Sequence, residues 1–174
     1  LRRDLPELIR QLSAIAEVED LALSTNGVLL PQTAEELREA GLQRVNISLD
    51  AMSDEAMREI SGRDFGVARV LDGIAAAKSA GLRVKLNSVI QRGINESEVV
   101  PLVEYARAEA LPLRFIEYMD VGNVNQWTDG DVVTGAELRE RIAGHFGEKL
   151  EPMDYALTVA RHYRFAHSGQ ELGF

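Results

Sequence analysis

Two basic side chains lie within apolar stretches whose alternation predicts β-strands. Lys85 interrupts VKLNSVI, and Arg114 interrupts LRFIEYM. A cation that points inward from a strand needs a carboxylate or a ligand anion, because an isolated buried ammonium group loses its proton. For Lys85 the residues leave two interpretations open: an internal ion pair with Asp50 or Glu117, and a bond to a ligand phosphate. Arg114 poses the same question one strand later, with Glu117 as the neighbouring carboxylate.

Hydroxyl and amide side chains accompany these cations on the predicted strands, at Ser24, Asn46 and Ser48. All histidines lie in the last third of the chain, at His145, His162 and His167. No histidine is therefore near enough in sequence to activate a serine, and a serine nucleophile is disfavoured. The chain also lacks the glycine patterns of a phosphate loop and of a dinucleotide site. Glu117 and Asp120 follow a predicted strand end, where helix capping or ion pairing is favoured over acid–base chemistry.

The elements that position these residues alternate between predicted strands and predicted helices. DLALSTNG is predicted as a strand that closes in the Asn26-Gly27 turn, and Thr33 is predicted to cap the next helix. Asn95, with Glu98 three residues later, is predicted to cap a further helix. Short joins between strands and helices predict a parallel sheet with right-handed crossovers. The segments VARHYRF and QELGF are predicted to form a β-hairpin, and DVGNVNQW a Gly/Asn loop.

Three successive predicted strands carry polar side chains at one parity. These are Asp20, Ser24 and Asn26, then Arg44, Asn46, Ser48 and Asp50, then Lys85 and Asn87. A sheet packed between two helix layers could not accept them, because each unsatisfied polar group costs about 1–3 kcal/mol. The sequence therefore predicts an α/β fold, a partial (βα) TIM-like barrel of parallel strands with a lumen-facing ligand site. Ligands gather at the carboxyl ends of such strands, near Ser24, Ser48, Asn87 and Met119.

Composition narrows the class of protein further. The 174 residues are 45% hydrophobic, enough for one well-cored domain, and carry a net charge of −9 without a basic patch, which argues against nucleic acid. No apolar run approaches the length of a membrane span, so no membrane partner is expected and a cytoplasmic protein is the expectation. There is no cysteine, hence no thiolate ligand or nucleophile. Both ends are expected to be cut from a longer protein.

The residue sequences of the predicted strands carry information beyond their alternation pattern. The ordered set STNG, NISLD, VKLN, RFIEYM and GN resembles the core of the MoaA family of GTP 3′,8-cyclases, and the resemblance runs from residue 1 to residue 174. These enzymes are radical S-adenosylmethionine proteins that convert GTP to (8S)-3′,8-cyclo-7,8-dihydroguanosine 5′-triphosphate, the first step of molybdenum cofactor (molybdopterin) biosynthesis. They carry two 4Fe-4S clusters, the first held by a CxxxCxxC segment.

The resemblance implies a role for individual residues. Ser24, Lys85 and Arg114 match GTP-binding positions of the family, which favours the triphosphate over the ion pair at Lys85. Ser48 and Met119 match contacts of S-adenosylmethionine, the latter through its backbone. The partners implied are GTP and S-adenosylmethionine, and resemblance also implies a homodimer.

The chain departs from the family in its cysteines. With none present, it offers no metal ligand for either cluster and no catalytic residue of its own. Residues 1–150 are expected to be the central part of an incomplete barrel, and residues 151–174 the start of a C-terminal region. The polypeptide alone is expected to be inactive.

Two alternatives stay open beside the resemblance. One is a (βα) barrel aldolase or isomerase of sugar phosphates, in which Lys85 forms a Schiff base or binds the phosphate. The other is a non-catalytic barrel that serves as a binding domain. Borohydride trapping of a substrate on Lys85 would favour the first.

Overall fold

A computed structural model describes residues 4–119, 128–154 and 160–174 of the chain. The helices are α1 Leu5–Ser13, α2 Leu30–Glu39, α3 Asp54–Ser61, α4 Val67–Ser79, α5 Val99–Ala108 and α6 Gly135–Phe146. The strands are β1 Ala22–Thr25, β2 Arg44–Ser48, β3 Arg83–Ile90, β4 Leu113–Glu117, β5 Leu150–Met153, β6 His162–Phe165 and β7 Glu171–Gly173. The predicted loop at 120–127 lies outside the described residues.

The strands form one sheet of seven, in the order β1-β2-β3-β4-β7-β6-β5. The pairs β1 with β2, β3 with β4, and β4 with β7 are parallel. The pairs β5 with β6 and β6 with β7 are antiparallel. The prediction of parallel strands followed by a C-terminal hairpin is confirmed, and the hairpin joins the sheet through the parallel pairing of β7 with β4.

The chain divides into two compact units. The first comprises Leu1–Ser48 and Ala68–Lys85, and the second comprises Leu49–Val67 and Leu86–Phe174. The first unit contains β1, β2 and most of α4, and its core includes Val45, Ile47 and Val70. The second contains the strands from β4 onward, with Leu113 and Phe165 among its buried side chains.

Local sequence signals explain where several helices begin. Ser53 caps α3 by accepting a hydrogen bond from the Ala56 N–H over 3.4 Å. Thr134 forms a capping box with Glu137 at the start of α6. Both caps are interactions between residues only three apart, so the local sequence accounts for these helix starts.

Two predicted caps are wrong. The helix assigned to begin at Thr33 begins at Leu30, because Pro31 in the first turn already has the backbone angle that a helix needs. Thr33 lies inside α2, where its hydroxyl donates to the Leu29 carbonyl over 2.9 Å. Asn95 makes no side-chain cap, and α5 begins at Val99 after a short 3₁₀ turn.

Candidate functional site

In the first unit, polar side chains share one face of β1 and β2. Ser24 lies opposite Asn46 in the parallel pairing, and the Asn46 amide donates to the Ser24 hydroxyl over 3.4 Å. Ser48 ends β2 and is exposed, whereas Val45 and Ile47 on the other face are 0% exposed. The alternation predicted for the strand that carries Arg44, Asn46 and Ser48 is confirmed. It presents hydroxyl and amide groups on the face opposite the apolar core of this unit.

The turn after β1 holds the backbone next to Ser24 in place. The Thr25 hydroxyl accepts from the Gly27 N–H over 3.1 Å, and the Asn26 side-chain oxygen accepts from the Val28 N–H over 3.3 Å. Gly27 has φ of +79°, which a residue with a side chain rarely adopts. The predicted Asn26-Gly27 turn is therefore confirmed.

Three basic side chains, Arg44, Arg83 and Lys85, lie on this polar face, and the two arginines share one carboxylate. Arg44 and Arg83 both donate to Asp20, each over 2.6 Å. The hydrogen bond from Arg44 is the main cause that lowers the pKa of Asp20, and the charge of Arg83 adds to it. Lys85 follows Arg83 on the same face of β3 and is half-buried, as its parity predicts. Asp20 thus pairs with the arginines that begin β2 and β3. Lys85 lies two residues further along β3.

In the second unit, the segment directly after β2 is fastened by two side chains. Asn95, which is 0% exposed, donates to the carbonyls of Asp50 and Val89 over 2.7 and 2.8 Å and accepts from the Gln91 N–H over 2.8 Å. Glu98, which is 9% exposed, accepts from the N–H groups of Met52 and Ser53 over 2.7 and 3.1 Å. It also accepts from the Ser53 hydroxyl over 2.7 Å.

The sequence predicts a helix cap at these residues, whereas Asn95 and Glu98 bind the segment that begins at Asp50, about 45 positions earlier in the chain. The Asn-x-x-Glu pattern predicts a helix cap, but in the structure both side chains bind the backbone of the segment after β2. No local signal could have named the partners, because hydrogen bonds between distant segments leave no fixed spacing in sequence.

Asp50 belongs to the same fastened segment. Its carboxylate accepts from the Val89 N–H over 2.7 Å. Burial raises the pKa of Asp50 above its usual value, and the bond from the Val89 N–H opposes part of that shift. The acid form of this side chain is accordingly favoured more than it would be in water.

Arg114 and Asn87 lie side by side in the second unit. Asn87 of β3 is the register partner of Arg114 of β4, and Arg114 is in turn the partner of Gly173 of β7. The Arg114 Nε and the Asn87 Oδ1 are both buried and have no hydrogen-bond partner among the described residues. The sequence placed Asn87 on the polar face but did not name it as a contact.

The end of β4 carries the two remaining candidates. Glu117 accepts from the Gly135 N–H over 2.7 Å at the start of α6, so it caps a helix as expected for a carboxylate in this position. Met119 follows two residues after β4 and its side chain is 63% exposed. Asp120 lies outside the described residues. The contacts assigned to Ser24, Ser48, Lys85, Arg114 and Met119 stay predictions.

Ligands for a metal cluster are scarce in this chain. It contains no cysteine. Across residues 4–119, 128–154 and 160–174, no group of three or more histidine, aspartate or glutamate side chains could hold a metal ion. Among the described residues, none of the helices is long and apolar enough to cross a membrane.

A mostly parallel α/β sheet with helices between its strands is the arrangement of the TIM-barrel-like class of protein. One solved structure, described as "Structure of TYW1 with a lysine-pyruvate adduct bound", matches with a TM-score of 0.50 at 20% identity, over 79% of this chain and 44% of that chain. The likeness shows a shared fold.

Sequence comparison defines the family. The Radical SAM superfamily profile matches residues 1–106. The chain therefore belongs to the Radical SAM superfamily.

Similar curated proteins agree with this assignment. The GTP 3′,8-cyclase of Xanthomonas axonopodis pv. citri (strain 306) is 50% identical over 175 residues, which cover 100% of this chain and 52% of that protein. The GTP 3′,8-cyclase of Staphylococcus aureus (strain Mu3 / ATCC 700698) is 42% identical, over 99% of this chain and 51% of that protein. The chain thus spans about half the length of the curated relatives it matches.

Proposed function

We propose that this chain is part of a radical SAM GTP 3′,8-cyclase. The reaction would convert GTP to (8S)-3′,8-cyclo-7,8-dihydroguanosine 5′-triphosphate at the first step of molybdenum cofactor biosynthesis. The observation that carries the proposal is the 50% identity with the Xanthomonas enzyme over the whole of this chain.

The proposed GTP contacts are Ser24, Lys85 and Arg114, and their surroundings support these roles. Ser24 is exposed beside a fixed turn, so its hydroxyl can reach a ligand. Lys85 is half-buried on the polar face of β3, where its ammonium group can neutralise phosphate charge. Arg114 keeps its Nε without a hydrogen-bond partner in the described residues, a donor that GTP would satisfy.

The proposed contacts of S-adenosylmethionine are the Ser48 hydroxyl and the Met119 backbone. Ser48 is exposed at the carboxyl end of β2, the end of parallel strands where ligands bind. Bound S-adenosylmethionine supplies the radical chemistry in this superfamily, and these residues would only hold and orient it.

The iron–sulfur clusters do not fit the residues of this chain. It has no cysteine, and its described residues include no other group suited to a metal ion. We assign no cluster ligand here and derive no step through a cluster. The 174-residue chain alone is proposed not to turn over GTP.

An exchange protein tests the proposal. It is the Xanthomonas axonopodis GTP 3′,8-cyclase in which the matched segment, 52% of that protein, is replaced by this chain. After reconstitution with iron and sulfide, and with S-adenosylmethionine and a reductant, it is expected to cyclise GTP. A folded, cluster-loaded exchange protein that leaves GTP unchanged would overturn the proposal.

A matched pair of lysine variants isolates the nucleotide contact. Lys85→Met in the exchange protein should lower kcat/KM for GTP by roughly 10- to 150-fold, the equivalent of one charge-assisted hydrogen bond of about 1.5–3 kcal/mol. Lys78→Met changes an exposed lysine of α4 and should leave kcat/KM unchanged. Equal effects of the two substitutions would remove Lys85 from the site.

A further inference from the structure

Among the buried side-chain atoms of the second unit that have no hydrogen-bond partner in the described part of the chain, two lie on neighbouring strands. They are Asn87 Oδ1, an acceptor, and Arg114 Nε, a donor. Leaving such a group unpaired in a protein interior costs about 1–3 kcal/mol, so native proteins seldom do it without a reason. A ligand that pairs with both atoms would recover that free energy.

The register of the sheet makes the two atoms a pair. Asn87 and Arg114 are direct partners across parallel β3 and β4, so their side chains leave the same face of the sheet, roughly 5 Å apart. An acceptor beside a donor at this spacing matches a ligand edge that carries a donor beside an acceptor. A phosphate offers only acceptors and would leave the Asn87 oxygen unpaired.

Gly173 flanks Arg114 on the strand opposite Asn87. It is the register partner of Arg114 on the other side, in β7. A Cβ built on Gly173 would lie 3.4 Å from Arg114 Cγ and 3.5 Å from Arg114 Nε. A side chain at position 173 would therefore pack directly against the Arg114 side chain, including its Nε.

We propose that Asn87, Arg114 and Gly173 form a recognition row for a neutral edge of the nucleotide, in which a hydrogen-bond donor stands beside an acceptor. Asn87 Oδ1 accepts from the nucleotide, Arg114 Nε donates to it, and Gly173 places no side chain against the Arg114 guanidinium. The guanine edge and the ribose hydroxyl pair share this chemistry. The inference rests on the proposed function and assigns Asn87 and Gly173 a role in nucleotide specificity.

The test measures nucleotide affinity of the exchange protein by calorimetry, without S-adenosylmethionine. Asn87→Leu should weaken GTP about tenfold, the equivalent of one hydrogen bond. Against ITP, which lacks the guanine amino group, the loss should vanish if the base edge is bound. Against 2′-deoxyGTP or 3′-deoxyGTP, it should vanish if a ribose hydroxyl is bound.

Two further measurements separate ligand recognition from a structural role. The thermal unfolding midpoint of Asn87→Leu should be unchanged or higher, because the substitution removes an unpaired buried oxygen. Gly173→Val should weaken GTP binding by packing side-chain atoms against Arg114 Nε.

The outcomes are distinct. Unchanged GTP affinity in Asn87→Leu would overturn the inference and leave the proposed function intact. A lowered midpoint with unchanged affinity would also overturn it and would mean that Asn87 and Arg114 bond to each other. An exchange protein that neither binds nor cyclises GTP would overturn both proposals.

Discussion

Replacing Gly73 by alanine tests how α4 holds the turn that follows Ser24. A Cβ built on Gly73 would lie 2.2 Å from the Gly27 carbonyl oxygen and 2.8 Å from its carbon. Nonbonded atoms attract only from roughly 3.5 Å outward, so either the helix or the turn has to move by about 1 Å. The obstacle is backbone, which cannot rotate aside as a flexible side chain can.

The magnitude follows from a matched control on another helix. Gly144 of α6 is exposed, and a Cβ built there meets nothing within 4 Å. Gly144→Ala should therefore stabilise the protein by up to about 0.5–1 kcal/mol, the helix preference of alanine over glycine. Gly73→Ala gains the same preference but adds an overpacking cost of about 1–3 kcal/mol. The free energies of unfolding of the two variants should therefore differ by about 1–3 kcal/mol.

Urea denaturation followed by circular dichroism measures both values, with the slope of free energy against urea as a check that the unfolded states are comparable. GTP affinity of the exchange protein should also fall with Gly73→Ala, because the turn next to Ser24 is displaced. Equal stability of the two variants would refute the steric argument.

Three other substitutions probe the polar groups of the second unit. Asn95→Ala should cost about 3–5 kcal/mol in urea denaturation, because three backbone groups lose a buried partner. The control Asn46→Ala in the first unit removes two side-chain bonds, each 3.4 Å long, and should cost under about 1.5 kcal/mol. Similar losses would contradict the network. Burial raises the pKa of Asp50, so the contribution of this carboxyl favours folding at low pH and is lost as pH rises through the folded-state pKa. Asp50→Asn keeps an acceptor for the Val89 N–H, and it should raise stability at pH 7 and have little effect below about pH 3.8. An equal gain in stability at both pH values would argue against a buried charge. Burial opposes the shift, but hydrogen bonds from the backbone of His167 and Ser168 and from the Arg107 guanidinium lower the pKa of Glu148 to about 2. The stabilising contribution of Glu148 is therefore present above pH 4.5 and lost as pH falls towards 2. Glu148→Gln should flatten the dependence of stability on pH across that window, and an unchanged dependence would contradict the assignment.

Features that depend on neighbours in sequence were predictable. The polar face of β2 follows from the strict alternation of polar and apolar residues between positions 44 and 50. The structure confirms this alternation, because Val45 and Ile47 on the other face are fully buried. The caps at Ser53 and Thr134 follow from residues three apart. The Asn26-Gly27 turn follows from a residue pair that tolerates left-handed backbone.

Features that depend on contacts between distant segments were not predictable. Asn95 and Glu98 bind the backbone between Asp50 and Ser53, which no spacing rule could reveal. The need for glycine at Gly73 likewise arises from the approach of another segment, at Gly27. In both cases the residue type was visible, but the partner that explains it was set by the tertiary fold.

Resemblance and structure contributed different parts of the candidate site. The parity of β3 placed Lys85 on the polar face, but parity alone left an ion pair and a phosphate equally open. Family resemblance favoured the phosphate, without explaining why Asn87 should stand on the same face. Only the arrangement of β3, β4 and β7 showed that Asn87 and Arg114 are neighbours with unpaired atoms.

The state of hydrogen bonding distinguishes scaffold from candidate site among the buried polar groups of the second unit. Asn95 and Glu98 find their partners within the protein, so they lower the free energy of one backbone conformation and need nothing from outside. The side chains of Asn87 and Arg114 each keep one buried atom unpaired in the described structure, and they lie in register with each other and with a glycine. A scaffold role would have been served better by apolar side chains of the same size, because those carry no desolvation penalty. Retaining two polar side chains in register at that cost is what we expect where a ligand completes their hydrogen bonds.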